Sequence, residues 1–527
     1  MAARLFSRLS PRLSLAARPL CTAPLKLTKL VATIGPASEA ELPLRACVAA
    51  GMNVMRVNFS HATVEEFLLR RRNLRAAPGG EHVGVMLDTK GPEIRMGGLR
   101  VCRESGERKA KVLMEAGKDV LLTTDPKYDG DSDASTLYVG YEALASKLSP
   151  GDKVLLDDGL VILVVSKVTK DGVVCTITNT SEIGERKGVN LPGVVTDLPP
   201  MSEKDKIDIA FGVQHDIDMV AASFVRNAEG VREIRRFLEE CHNKYAPEPD
   251  ETPLPLIIAK VESTEALANL DEIIAEADGL MVARGDLGVE IPLEEVITWQ
   301  KEMVSACVAV GKPVVVATQM LETMQKNPRP TRAEVADVTN AVLDDTDAVM
   351  LSGESANGLY PDHSVATQAS ICVAAEEWMR KVEYSAAAYH NATIDRLEQS
   401  GGGGVWLTNE DAALAASASM LAEDVGASAI VVVEPPLEQL LHARESQGAL
   451  TRAVAKGTDA RPMLPIVAIS TSLKVCRQLS ISRGVFSIRV TQLPESPAEA
   501  AELAFAAALL PEGSPVVVLC DGSLTAL

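Results

Sequence analysis

The chain has 527 residues and a formal net charge of −20, with 46% hydrophobic, 24% charged and only 3% aromatic residues. That length exceeds one hydrophobic core and predicts about two to four domains. With so few aromatic residues, Leu, Val, Ile and Ala must fill the cores, which suits parallel sheets covered by helices; the acidity argues against a nucleic-acid partner, and no apolar run is long enough to span a membrane.

From Met1 to Ser38 there is no acidic residue, while Arg4, Arg8, Arg12, Arg18, Lys26 and Lys29 alternate with Leu, Ala and Ser. This is the composition of a transit peptide, so residues 1–25 are expected to direct import into a mitochondrion or plastid. A basic tail on a cytoplasmic protein is the alternative. The 9 cysteines form no C-x-x-C pair and the 7 histidines show no metal-ligand spacing. A disulfide framework and a zinc site are therefore not expected, and a reducing compartment is.

Eight short β-branched runs follow: Lys29–Ile34, Asn53–Asn58, Val83–Asp88, Asp218–Ala222, Leu256–Lys260, Gly279–Ala283, Pro313–Ala317 and Ala348–Leu351. Helix-like segments such as Ser263–Glu276 and Leu293–Val310 fill most gaps. The count predicts an α/β fold with a (β/α)8 TIM barrel rather than an open doubly wound sheet. The long gap before Asp218 is dense in strand runs and Asp-Gly turns, at Asp129–Gly130, Asp158–Gly159 and Asp171–Gly172. It is expected to be an inserted small β-barrel domain acting as a lid. After the Gly-rich stretch Gly401–Gly404, helix and strand alternate again as a separate C-terminal α/β domain, from a helix at Ala412–Val425 to a last strand at Pro515–Leu519. The expected division is 26–91 with 197–383 for the barrel, 92–196 for the lid and 384–527 for the C-terminal domain.

In such a barrel the residues just past each strand share one mouth. They are Arg56, Asn58 and Ser60; Asp88, Thr89 and Lys90; Lys260 and Glu262; Arg284, Gly285 and Asp286; Thr318 and Gln319; and Ser352 and Glu354. Glu262 and Asp286 are a pair of hard oxygen ligands that suits Mg²⁺ or, equally on spacing, a pair of solvated acids. Lys260 suits a transferring phosphoryl group, or a plain ion pair. Asn58, Ser60, Asp88 and Thr89 offer a weakly charged oxygen set for a monovalent cation, and Arg56 and Arg95 are candidate phosphate forks.

The stretches Thr33–Ser38 (TIGPAS), Met55–Ala62 (MRVNFSHA), Leu87–Arg95 (LDTKGPEIR), Lys187–Gly193 (KGVNLPG), Met281–Pro292 (MVARGDLGVEIP), Ala317–Met324 (ATQMLETM), Arg329–Asp344 and Met350–Pro361 (MLSGESANGLYP) resemble the pyruvate kinase family, in family order. The resemblance implies phosphoryl transfer from phosphoenolpyruvate to ADP, the last step of glycolysis, with Mg²⁺ and K⁺. It implies Arg56 at the substrate phosphate and Lys260 as stabiliser of the transferring group. Glu262 and Asp286 would hold Mg²⁺, and Asn58, Ser60, Asp88 and Thr89 would hold K⁺. Glu93 matches the acidic position associated with K⁺ dependence. Gly285, Asp286 and Thr318 would hold the substrate carboxylate, with Thr318 on the proton path. Asn58, His61, Arg95 and Lys187 would contact the nucleotide. A homotetramer is the family's usual assembly.

The C-terminal part departs from the family. Val431–Leu441 reads VVVEPPLEQLL where regulated members carry a phosphate-cradling loop, so activation by fructose bisphosphate is not expected. The chain also ends at Leu527, soon after its last expected strand, so a further edge element is expected to be missing. The rivals are a mutase or aldolase on a related barrel, and a non-catalytic regulatory subunit. The first lacks the inserted domain, and the second would have lost Lys260, Glu262, Asp286 or Thr318.

Overall fold

The computed structural model describes residues 26–100, 111–246, 252–381, 429–433, 466–470, 473–483, 485–489, 493–494, 496–506, 516–520 and 523–526. The eight β-branched runs are strands β1 (Lys29–Thr33), β2 (Val54–Asn58), β3 (Gly84–Asp88), β12 (Met219–Ala222), β13 (Leu256–Val261), β14 (Gly279–Ala283), β15 (Val314–Ala317) and β16 (Ala348–Leu351). They close in the order β1-β16-β15-β14-β13-β12-β3-β2, and every neighbouring pair is parallel. Closure and helices bury both faces, which is why the strands read as continuous apolar runs rather than alternating ones. Several outer helices start at capping boxes written in the sequence: Thr63 with Glu66, Ser202 with Asp205, and Thr331 with Glu334.

One polar device repeats around the lower rim. Asn53, Asp218, Asp278 and Asp347 each precede every second strand. Each side chain accepts the N–H of the strand before it: Leu30 at 3.0 Å, Val85 at 2.8 Å, Ile257 at 2.7 Å and Val314 at 3.0 Å. Each backbone N–H in turn donates to the carbonyl of that same residue. The pairing fixes strand register where the ladder begins and satisfies donors that would otherwise be buried unpaired.

Between β3 and β12 lies the inserted unit. Strands β5 (Asp119–Thr123), β6 (Thr136–Tyr138), β7 (Lys153–Leu156), β8 (Val161–Thr169), β9 (Gly172–Ile177) and β11 (Val189–Asn190) form one sheet, in the order β11-β7-β8-β9-β5-β6. Strands β4 (Lys111–Met114) and β10 (Ser181–Gly184) pair separately. Leu99, Val120, Leu122, Val154, Leu163 and Cys175 are part of a core of its own.

The C-terminal sheet runs β19 (Val485–Arg489), β18 (Ile466–Ser470), β17 (Ala429–Val433), β20 (Val516–Cys520) and β21 (Ser523–Ala526). It is parallel except for β21, which pairs antiparallel with β20. The expectation of a missing edge element is therefore corrected. SLTA is short and carries one β-branched residue, a weak strand signal, yet it pairs antiparallel with β20. The helix expected at Ala412–Val425, the segment after Val433 and residues 1–25 lie outside the described residues.

The C-terminal part supplies the floor of the barrel. Ile481 joins the interior cluster of Val31, Met86, Met219, Met281 and Met350. Arg477 donates to Asp218 at 2.7 Å and to Asp216 at 2.6 Å, Arg483 pairs with Asp345 at 2.8 Å, and the Arg483 N–H donates to Asp347 at 3.0 Å. Lys29 is buried, donates to the Val485 carbonyl and lies 4.3 Å from the Phe486 ring centroid. The six cysteines whose surroundings are described are buried, and none of them is in a disulfide.

Two outcomes are expected here. Arg477→Met leaves the buried Asp218 with only the more distant Arg75, 3.9 Å away, and should lower the unfolding free energy by about 3 kcal/mol, read from denaturant midpoints. Burial, with Lys26 nearby, pushes the Lys29 amine down to about 7 from 10.5. Between those values the unfolded chain binds a proton that the folded chain has lost, so this group makes stability rise with pH. Lys29→Met should remove that rise, and its melting-temperature advantage over the parent should shrink from pH 6.5 to pH 9.5.

Candidate active site

The upper ends of the strands bring the predicted polar residues together. Asp88 ends β3 fully buried and receives Arg56 Nε on Oδ2 at 2.6 Å and Lys260 Nζ on Oδ1 at 3.3 Å. Lys260 also pairs with Glu262 Oε1 at 2.9 Å. Burial alone lowers a lysine pKa, but the charges of Asp88 and Glu262 outweigh it and hold the ammonium above its ordinary value. Burial likewise raises Asp88, and Arg56 and Lys260 reverse that and hold the carboxylate below its usual range. Arg56 spends Nε on Asp88 and Nη1 on Thr33 Oγ1 at 2.8 Å, so neither bond occupies Nη2.

Glu262 is buried, and Asp286 stands beside it in the first turn of the helix Arg284–Glu290. Neither is a solvated surface acid. Burial, then the charge of Glu262, pushes the Asp286 carboxyl up to about 7, against Lys260. Two crowded carboxylates of this kind are an oxygen pair that a dication would relieve. Among the described residues no group of three or more His, Cys, Asp or Glu could hold a metal. A site of two carboxylates completed by substrate oxygens and water is the pattern Mg²⁺ uses.

Asn58 and Asp88 are register partners on β2 and β3, so their loops leave the barrel side by side, tied by Phe59 N–H to the Asp88 carbonyl at 2.9 Å. Asn58 Oδ1 accepts the Ser60 N–H at 3.0 Å, and the Thr89 carbonyl accepts Ser223 Oγ at 2.7 Å. These oxygens with little charge among them fit a monovalent cation. His61 lies exposed in the same turn, its N–H on the Asn58 carbonyl. Arg95 and Lys187 sit together on the lid side. Arg95 is bridged to Gly188 and paired with Glu93, and Lys187 is 3.1 Å from Asp157. Among the described residues no hydrogen bond or ion pair joins these two to Asn58 or His61. A cleft of about 120 Å³, open to solvent, lies between lid and barrel and is lined by Glu93, Asp158, Asn190, Arg226, Asp286 and Glu290 among others. Burial pushes Glu290 up to about 7, with Asn190 opposing.

Thr318 and Gln319 have φ of 75° and 55°, a left-handed turn at the end of β15. Arg284 grips it, donating to the Thr318 carbonyl at 2.7 Å and the Ala317 carbonyl at 3.2 Å, while Asp337 holds the guanidinium at 2.6 and 2.7 Å. A Cβ on Gly285 would lie 2.9 Å from Thr318 Cγ2, so only glycine lets the two loops approach this closely.

The sequence reading missed Ser223, which follows β12 and accepts from Lys260 at 2.7 Å. Its signal is its place, the residue just past the fourth strand. It also missed the Phe224 N–H, which donates to Glu262 Oε2 from a residue at φ 54°. No side-chain signal marks a backbone donor.

The family model described as pyruvate kinase, barrel domain, matches residues 25–365. A pyruvate kinase of Leishmania mexicana is 40% identical over 466 residues, covering 88% of this chain and 85% of its own. One from Bacillus licheniformis is 41% identical over 467 residues, covering 88% of this chain and 72% of its own. The crystal structure of a pyruvate kinase from Cryptosporidium parvum superposes with a TM-score of 0.84 at 34% identity, covering 99% of both chains. With its closed barrel, inserted sheet unit and buried charge cluster, this chain belongs to the pyruvate kinase family of phosphotransferases.

Proposed function

We propose that the chain transfers the phosphoryl group of phosphoenolpyruvate to ADP, giving pyruvate and ATP, with Mg²⁺ and K⁺ bound. The observation that carries this reading is the buried cluster of Arg56, Asp88, Lys260 and Glu262, with Asp286 beside it. Glu262 and Asp286 would hold Mg²⁺; Asn58, Ser60, Asp88 and Thr89 would hold K⁺. Bound there, the cations supply positive charge against the phosphoryl oxygens.

The chain's own residues do the rest. Arg56 Nη2 and the Lys260 ammonium meet the phosphoryl oxygens in a mouth where their charge is little screened. Gly285 and Asp286, in the first helical turn, have N–H groups without intrahelical partners and suit the substrate carboxylate. Asn58, His61, Arg95 and Lys187 would grip the nucleotide from the barrel and lid sides of the cleft, so that lid closure aligns it and excludes water. As the phosphorus–oxygen bond to the enol breaks and the bond to ADP forms, the enolate takes a proton at its methylene carbon. Thr318 lies on that proton path. The division of labour we propose is catalysis by 26–91 and 197–383, a lid at 92–196 and a C-terminal unit at 384–527. We propose a homotetramer, import directed by residues 1–25, and no activation by fructose bisphosphate.

Protein lacking residues 1–25 should form pyruvate from phosphoenolpyruvate and ADP, need Mg²⁺, and be stimulated by K⁺. Lys260→Met should lower kcat by roughly 10²–10³-fold. A folded parent that binds ADP yet forms no pyruvate would sink the reading and favour a regulatory subunit. Glu93 pairs with Arg95 beside the candidate K⁺ loops. Glu93→Lys should reduce the stimulation by K⁺, measured as the ratio of rates with and without it, and an unchanged ratio would remove Glu93 from that role.

A further inference from the structure

The helix Gly353–Ala356, one turn after β16, stitches the barrel's upper rim. Ser355 Oγ donates to the Thr33 carbonyl at 2.8 Å, across to β1. Glu354 reaches the other way. It is fully buried, its Oε1 accepts the Leu321 N–H at 3.1 Å, and its Oε2 accepts the Ser352 N–H at 2.8 Å. Leu321 belongs to the loop that starts with the left-handed pair Thr318 and Gln319. Arg284, itself held by Asp337, holds that turn by its carbonyls, and Glu354 holds it by an N–H three residues on. A threonine with positive φ has other backbone conformations open to it, so a hydroxyl kept there depends on both anchors.

We propose that Glu354 is a positioning residue for the phosphoryl-transfer and protonation reaction, fixing the Thr318 hydroxyl by tying its loop to the end of the eighth strand. The inference rests on the function proposed above. The site demands a carboxylate because two N–H donors converge on it. An amide of the same shape offers one acceptor and turns an NH₂ toward the second donor. Releasing either donor loosens the turn, and a displacement of about 1 Å at a reacting group costs up to about 10²-fold in rate.

The test is a double-mutant cycle on pyruvate formation. Thr318→Ala should lower kcat on the order of 10²-fold. Glu354→Gln should lower it roughly 10-fold, with the KM for ADP within about twofold of the parent, because the nucleotide residues lie on other loops. The double variant should be no slower than Thr318→Ala within about twofold, since a misplaced hydroxyl that is absent cannot be lost again. Glu354→Asp keeps both oxygens and should recover part of the Gln loss; it also serves should Glu354→Gln fail to fold. Asp278→Asn, at the opposite rim, is the control for lost stability and should lower the melting temperature while kcat stays near the parent's. Losses that multiply in the double variant, or a Glu354→Gln enzyme as fast as the parent, would overturn the role of Glu354. An inactive parent would overturn the reaction itself and this inference with it.

Discussion

Asp88 accepts from Arg56 at 2.6 Å on one oxygen and from Lys260 at 3.3 Å on the other; it is the carboxylate that joins the two cations of the barrel mouth, and Glu262 holds Lys260 from a second side at 2.9 Å. Burying one unpaired charge costs several kcal/mol, so these groups stand or fall together. With Glu262 and Asp286 ionised, the mouth carries two cations, Arg56 and Lys260, against three carboxylates, a net of one negative charge. Such a cluster is held in one arrangement yet stays electrostatically incomplete. Substrate oxygens and cations of opposite sign can enter together and find partners already oriented. Preorganisation of this kind is where most of a phosphotransferase's rate is found.

The barrel separates two uses of the same chemistry. At the lower rim Asn53, Asp218, Asp278 and Asp347 accept strand N–H groups and set register. At the upper rim Asp88, Glu262, Asp286 and Glu354 end up against cations, other carboxylates or loop backbone. Asp218 and Asp88 sit at opposite ends of the neighbouring strands β12 and β3. The first faces Arg477 from the C-terminal part and the second faces Arg56 and Lys260. The floor and the mouth therefore share strands, and a shift in one register would move both.

The barrel strands were legible because each is a run of Val, Ile, Leu, Met and Ala with a polar residue at its end. Their boundaries differ by a residue or so, since Asn53, Val83, Asp218 and Pro313 stand just ahead of the strands they introduce. The mouth was legible for the same reason: the residue after a strand is fixed in space by the strand. What sequence could not supply were partners from elsewhere in the chain. Asp337 meets Arg284 across 53 positions, and Arg477 meets Asp218 across 259. Nor could it supply backbone groups. Phe224 and Leu321 act through an N–H that any residue but proline could offer. The rule of an Asn or Asp acceptor before every second strand at the lower rim was present in the strand runs themselves, as Asn53 and Asp218. It has meaning only once the strands are known to close in a ring.

Backbone strain follows the charges. Eight non-glycine residues among those described have positive φ, and six of them are gripped by a charged side chain. Asp157 meets Lys187, Asp216 meets Arg477 and Asp345 meets Arg483 through their carboxylates. The Arg186 and Thr318 carbonyls accept from Arg95 and Arg284, and the Phe224 N–H donates to Glu262. The other two, Asp158 and Gln319, directly follow a gripped residue. A left-handed turn at a non-glycine residue costs on the order of 1–3 kcal/mol and persists only when its surroundings over-determine it. A charge-assisted hydrogen bond is roughly twice as strong as a neutral one, which is enough to hold such a turn. The sites lie in two places, the mouth with its lid cleft and the floor beneath the barrel. These are the regions where loops rather than strands must place a group, and ion pairs there give irregular backbone the fixity that hydrogen-bond ladders give the strands.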